Sequence, residues 1–221
     1  MPSRWKGICE SGELFSPAKA CSRKLIGARY FVKGLEAAYG HPLNNSKFQD
    51  YWSPRDRSGH GTHVSSVASG FFVPNVSYHG LAVGTVRGGA PHSRIAMYKV
   101  CWKVNGGVCA DIDILKAIDQ AIYDGVDVLS LSLGPSFPSY SDVDMRNGIA
   151  IGAFHAVAKG IVVVGAAGNS GPAAYSVSNI EPWLLTVAAS SVDRSFLVAI
   201  TLGNNWTTMV ILIKPHHENS N

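Results

Sequence analysis

Between Arg94 and Ala188 the sequence alternates short apolar runs with segments of helical period, and this alternation restricts the fold more than any other feature. Arg94 to Val100 reads as a strand, Asp111 to Tyr123 as a helix with Ile112, Leu115, Ile118 and Ile122 on one face, and Val126 to Leu131 as a second strand. A helix from about Asp142 to Lys159 follows, closed by Gly160, then a strand at Ile161 and another at Leu184 to Ala188. Strands separated by helices imply an α/β fold, a parallel sheet covered on both faces, with function at the strand C-termini. Ser132-Leu133-Gly134 and Ala166-Ala167-Gly168 fall at two of those ends.

The 221 residues suit one domain, and 46% hydrophobic against 15% charged residues, without repeats, is the composition of a globular enzyme piece. A net charge of +4 from scattered Lys and Arg argues for a solvated face and against a nucleic-acid partner. No apolar stretch is long enough to span a membrane. Gly84, Gly88 and Gly89 do not form a dinucleotide fingerprint and no phosphate loop occurs, so no cofactor is expected.

The chemistry begins at Ser53-Pro54-Arg55-Asp56-Arg57-Ser58-Gly59-His60-Gly61-Thr62-His63-Val64, where a histidine sits between two glycines at a loop-to-helix junction. Val64, Val67 and Ala68 give the following segment a helical apolar face, so His60 is expected at the mouth of a helix, where a base reaches a bound group. The same residues also read as a helix-start histidine in a Gly-rich turn, or as a His-x-x-His metal pair. A metal site needs a third ligand, and no nearby His, Cys or carboxylate cluster has a zinc-like spacing, so no metal is expected.

A second segment, Ile161-Val162-Val163-Val164-Gly165-Ala166-Ala167-Gly168-Asn169-Ser170-Gly171-Pro172, runs an apolar strand into a small-residue turn carrying one amide. Together the two segments resemble the subtilisin-like serine proteases. Trp5-Lys6-Gly7, Lys24 to Phe31, Tyr98-Lys99-Val100-Cys101-Trp102 and Asp124 to Gly134 narrow the resemblance to the plant-type subtilases, over nearly everything from Trp5 to about Met209. The resemblance implies His60 as general base and Asn169 as a side-chain donor to the oxyanion hole. It also implies that Ser132, Leu133 and Gly134 pair with an extended peptide or protein substrate as an added strand. With Ala166, Ala167 and Gly168 they would line the primary specificity pocket, where large side chains would block the peptide.

Two triad members of that family have no counterpart here. Its acid lies in an Asp-Thr-Gly or Asp-Ser-Gly strand end well before the histidine, whereas Asp50 and Asp56 lie too close to His60 and follow no apolar strand. Its nucleophile lies in a Gly-Thr-Ser motif, which occurs nowhere in the sequence. The 221 residues as written are therefore expected not to cleave peptide bonds, and a subtilisin-like sheet without its Asp strand is expected to show unpaired edges and an open core. The expectation is an internal part of a serine endopeptidase domain over residues 1–209, with 210–221 a divergent tail produced by a frameshift or alternative splice end. The alternative is a truncated, non-catalytic product that binds peptides or a propeptide-like inhibitor.

Four cysteines fall into two sequence-local pairs, Cys9 with Cys21 and Cys101 with Cys109, an arrangement the plant-type resemblance suggests for two disulfides; the spacing alone leaves three connectivities open. Sequons at Asn44, Asn75 and Asn205 fit an extracellular protein, the apoplast or cell wall for this family, although no signal peptide precedes Pro2.

Overall fold

The computed structural model describes residues 2–43, 49–78, 80–104, 107–134, 147–191 and 197–211. A single helical turn, α1 (Pro17–Ala20), precedes strand β1 (Leu25–Tyr30) and helix α2 (Lys33–Tyr39). Helix α3 (His60–Ser69) leads into the hairpin of β2 (Val73–Tyr78) and β3 (Leu81–Val86). Next come β4 (Ile95–Lys99), the short hairpin of β5 (Cys101–Trp102) and β6 (Val108–Cys109), helix α4 (Asp111–Asp124) and β7 (Val128–Leu131). Helix α5 (Gly148–Ala158), β8 (Val162–Ala166) and β9 (Leu185–Val187) complete the alternation, and a last hairpin joins β10 (Leu197–Thr201) to β11 (Thr207–Ile211).

The parallel pairing expected from the alternation is present, but in two pieces. β1 pairs with β4, and β7, β8 and β9 form a separate parallel sheet. Among the described residues nothing pairs with the second edge of β4 or of β7. The expected cover on both faces is also corrected. Leu129 and Val163 point into a core with α4 and α5, whereas Val128, Val162, Leu185 and Val187 on the alternate positions stay exposed. Period-2 alternation in an apolar run hides which face is covered, because both faces carry Val and Leu.

Small residues bring α4 and α5 close together. Ala117 and Ala121 share a buried cluster with Ala153 and Ala156, and a Cβ on Gly152 would come within 2.6 Å of Ile118. This revises the apolar face assigned to α4. Its buried stripe is Ile114, Ala117, Ile118 and Ala121, while Ile112 is 65% exposed and its methyl covers the bare Cα of Gly34 in α2. Close helix contact selects alanines, which a hydrophobicity pattern built on isoleucines overlooks. The start expected near Asp142 lies outside the described residues; within them α5 is capped by Asn147, whose side chain accepts from Ile149 N at 2.9 Å.

A charged cluster joins β1, β4 and α4. The Arg29 guanidinium grips Asp124 with two bonds of 2.8 and 3.0 Å, the Tyr98 hydroxyl donates to the same carboxylate at 2.8 Å, and Gln120 donates to it at 2.9 Å. Glu10 takes a further guanidinium N–H at 3.1 Å. A second small core packs Val32 and Leu35 around Trp102, whose indole N–H donates to Phe31 O at 2.7 Å. Disulfides join Cys9 to Cys21 and Cys101 to Cys109, the latter across the β5–β6 hairpin. β11 continues pairing through Ile211, opposite Leu197; residues 212–221 lie outside those described.

Candidate active site

His60 is the first residue of α3, and Gly59 before it takes a left-handed φ of 87°, a conformation that side chains disfavour. Asp56 caps the helix from the loop. Its Oδ1 accepts Gly59 N–H at 2.8 Å, and its Oδ2 accepts the Thr62 N–H at 2.8 Å and the Thr62 hydroxyl at 2.7 Å. Burial pushes the Asp56 carboxyl up, but the bonds from Thr62, Gly59 and Ser58 outweigh it and hold the group below its ordinary value. Asp56→Ala is expected to weaken the α3 start by about 0.5–2 kcal/mol, the range for a lost cap. Because the folded carboxyl is the stronger acid, its contribution is present above the ordinary value of 3.8 and disappears as pH falls through the folded value. A Thr62 amide resonance titrating with a midpoint at or above 3.8 would contradict this cap.

The loop carrying Asp56 is anchored to the end of β4. Lys99 Nζ binds Asp50 at 2.7 Å and Arg55 O at 2.9 Å, and lies 4.2 Å from the Trp102 ring. Burial lowers the Lys99 pKa and outweighs the raising influence of Asp50. Asp50 also accepts Lys103 N–H at 2.8 Å. Both carboxylates ahead of His60 are thus engaged in structure, and among the described residues no hydrogen bond reaches the His60 imidazole.

His60, Ser132 and Leu133 line one cavity of about 1310 Å³, together with Met97 and Lys99 of β4 and Ser130 of β7. Gly134 and the Ala166–Gly168 turn lie outside its lining, but a residue unsuspected from sequence ties them in. Asn179, 5% exposed and at a left-handed φ of 53°, donates its amide to Leu133 O at 3.0 Å and Ala166 O at 2.8 Å. It thereby fixes the separation of the two strand exits, and a Cβ on Gly134 would approach it to 3.2 Å. Nothing local in Val177-Ser178-Asn179-Ile180 announces this role, since it depends on strands arriving from elsewhere. Asn169 follows Gly168, left-handed at 87°, and is exposed beyond the end of β8. The α3 face proposed from Val64, Val67 and Ala68 is largely uncovered, with Val67 63% exposed. Asn75 in β2 and Asn205 at the β10–β11 turn are exposed; Asn44 lies outside the described residues.

The profile of the Subtilase family (Peptidase_S8) matches residues 33–216. The chain belongs to the subtilase family. Among curated relatives, it is 59% identical over 209 residues to "Subtilisin-like protease SBT3.9" and 60% identical over 208 residues to "Subtilisin-like protease SBT3.3", both of Arabidopsis thaliana. These alignments cover 95% and 93% of this subtilase chain and 27% and 26% of the relatives, so it spans about a quarter of their length. Two solved structures align less closely. One is the epidermin leader peptide processing serine protease of Staphylococcus aureus, at 30% identity and a TM-score of 0.39 over 55% of this chain and 27% of that one. The other is Sphericase, at 23% identity and a TM-score of 0.46 over 80% and 64%.

Proposed function

We propose that this chain carries the base and the substrate-strand portion of a serine endopeptidase. The placement of His60 at the start of α3, lining one cavity with Ser132 and Leu133 at the exit of β7, is the observation that carries the reading. An extended peptide adds to the β7 exit through backbone hydrogen bonds, Gly134 and the Ala166–Gly168 turn leave room for its side chains, and His60 takes the proton of a serine nucleophile. Asn169 stabilises the oxyanion. Asn75 and Asn205 are acceptors for N-linked glycans, and the two disulfides support an extracellular setting.

The 221 residues alone are expected to be hydrolytically silent, because no acyl-enzyme forms without a nucleophile. A fluorophosphonate probe and a quenched fluorescent peptide, applied to this chain and to a product as long as its relatives, test the reading. Covalent labelling and turnover are expected only in the longer product. If that product neither labels nor cleaves, the endopeptidase reading is wrong; saturable peptide binding without labelling would then favour a non-catalytic binder of peptides or a propeptide-like inhibitor.

A further inference from the structure

Asn179 sits in a notch at the ends of β7 and β8. Two bare Cα atoms make room for it: a Cβ on Gly134 would come within 3.2 Å of the Asn179 amide nitrogen, and one on Gly165 within 3.1 Å of the Asn179 Cβ. Both amide N–H groups are used on the walls, one on Leu133 O and one on Ala166 O. The amide has only this orientation, because turned over its oxygen would face two carbonyl oxygens. The Oδ1 atom is left buried and takes no hydrogen bond among the described residues. An apolar filler of the notch would avoid that unpaired acceptor, so what the amide alone supplies is the pair of wall bonds.

The backbone around the amide is held from two sides. The Thr186 hydroxyl of β9 donates to Asn179 O, Ser178 N–H donates to Ala167 O at 2.8 Å, and Ala167 N–H donates to Val187 O at 2.9 Å. Asn179 stands at a left-handed φ of 53°, which asparagine tolerates better than most other side chains. With its base so fixed, the side chain does not follow a wall that moves: a displacement of about 1 Å takes one of the two bonds beyond hydrogen-bonding reach.

We propose that Asn179 is a positioning residue for substrate selection. By holding Leu133 O and Ala166 O at one separation, it sets the width of the pocket between Ser132-Leu133-Gly134 and Ala166-Ala167-Gly168, and so how the substrate side chain beside the scissile bond is seated relative to His60. The inference rests on the endopeptidase reading above, which supplies the peptide, and on the two wall bonds, which supply the brace. Asn179 acts through the walls and touches no reacting atom.

Quenched fluorescent peptides that differ only in the residue before the scissile bond, Gly, Ala, Gln, Leu or Phe, are cleaved with a product as long as the relatives. That parent is expected to favour one of the larger side chains over Gly by about 10²-fold in kcat/KM. Asn179→Gly keeps the left-handed backbone and deletes the amide. It is expected to lower kcat/KM on the favoured peptide by about 10²-fold, the loss that a 1 Å misplacement brings, and on the Gly peptide by less than about tenfold, because no side chain then needs the pocket. Asn179→Asp keeps the shape but aims acceptors at both carbonyls, and is expected to lose at least as much of the preference. Thermal melts accompany the kinetics; should both variants unfold, Thr186→Val, which frees the Asn179 backbone, is expected to shrink the preference about threefold. Equal losses on all five peptides overturn the proposal and make Asn179 a general support of the fold, and so does a parent that cleaves all five alike. A parent that neither labels with fluorophosphonate nor cleaves is the failure of the endopeptidase reading; a labelled, cleaving parent whose preference survives Asn179→Gly is the failure of this inference alone.

Discussion

His60→Ala, made in a product that also holds the nucleophile, is expected to lower kcat by about 10⁶-fold, the magnitude known for the triad of a bacterial subtilisin and taken over from that relative. Such a factor corresponds to about 8 kcal/mol of transition-state stabilisation. The size follows from the unit behaviour of base and nucleophile: without an acceptor for its proton, the serine hydroxyl is a poor nucleophile at neutral pH. Folding is expected to survive, because His60 is exposed and no hydrogen bond among the described residues ends on its ring. Asn169→Ala should cost only about 10²- to 10³-fold, the loss of one oxyanion donor, again a magnitude from a subtilisin. Steady-state kinetics beside thermal melts decide the matter: a His60→Ala enzyme within tenfold of the parent, equally stable, would mean that another group is the base.

Asp124→Ala is expected to destabilise the chain by about 3–5 kcal/mol, a large fraction of the 5–15 kcal/mol typical of a domain. Asp124 is 1% exposed and receives four hydrogen bonds from Arg29, Tyr98 and Gln120, so its removal strands a largely buried guanidinium together with the hydroxyl of the half-buried Tyr98. Burial and the bond to Asp124 both push the Tyr98 hydroxyl far above its ordinary range, and part of that shift should vanish in the variant. Urea unfolding at neutral pH measures the first effect, and ultraviolet titration of tyrosine the second. Arg29→Met combined with Asp124→Leu should recover much of the loss, since removing both charges leaves neither uncompensated. If Asp124→Ala alone costs less than about 1 kcal/mol, the cluster is solvated and does not join β1, β4 and α4 as described.

Local signals located α3, α4, β4, β8 and β9 to within a residue or two, because caps, left-handed glycines and apolar runs act over neighbouring residues. Gly59, Gly125 and Gly160, with φ of 87°, 87° and 79°, stand where the sequence ends or begins a helix. The buried face of α4 was harder to see, because large isoleucines suggest burial while it is alanines that permit α4 and α5 to approach. The whole of Asn179's contribution was invisible for a related reason: its partners, Leu133 O and Ala166 O, are 46 and 13 residues away.

The sequence alone determined the family, the alternation of strands and helices, and His60 at a helix start, all of which depend on short-range pattern. Tertiary structure alone decided that the parallel strands among the described residues form two sheets, that Asp56 and Asp50 serve as cap and anchor, and that Asn179 ties the two strand exits together. The physical reason is range. Backbone dihedrals and hydrophobic period are set by adjacent residues, whereas pairing edges, burial and electrostatic field depend on which distant segments the packed chain brings together.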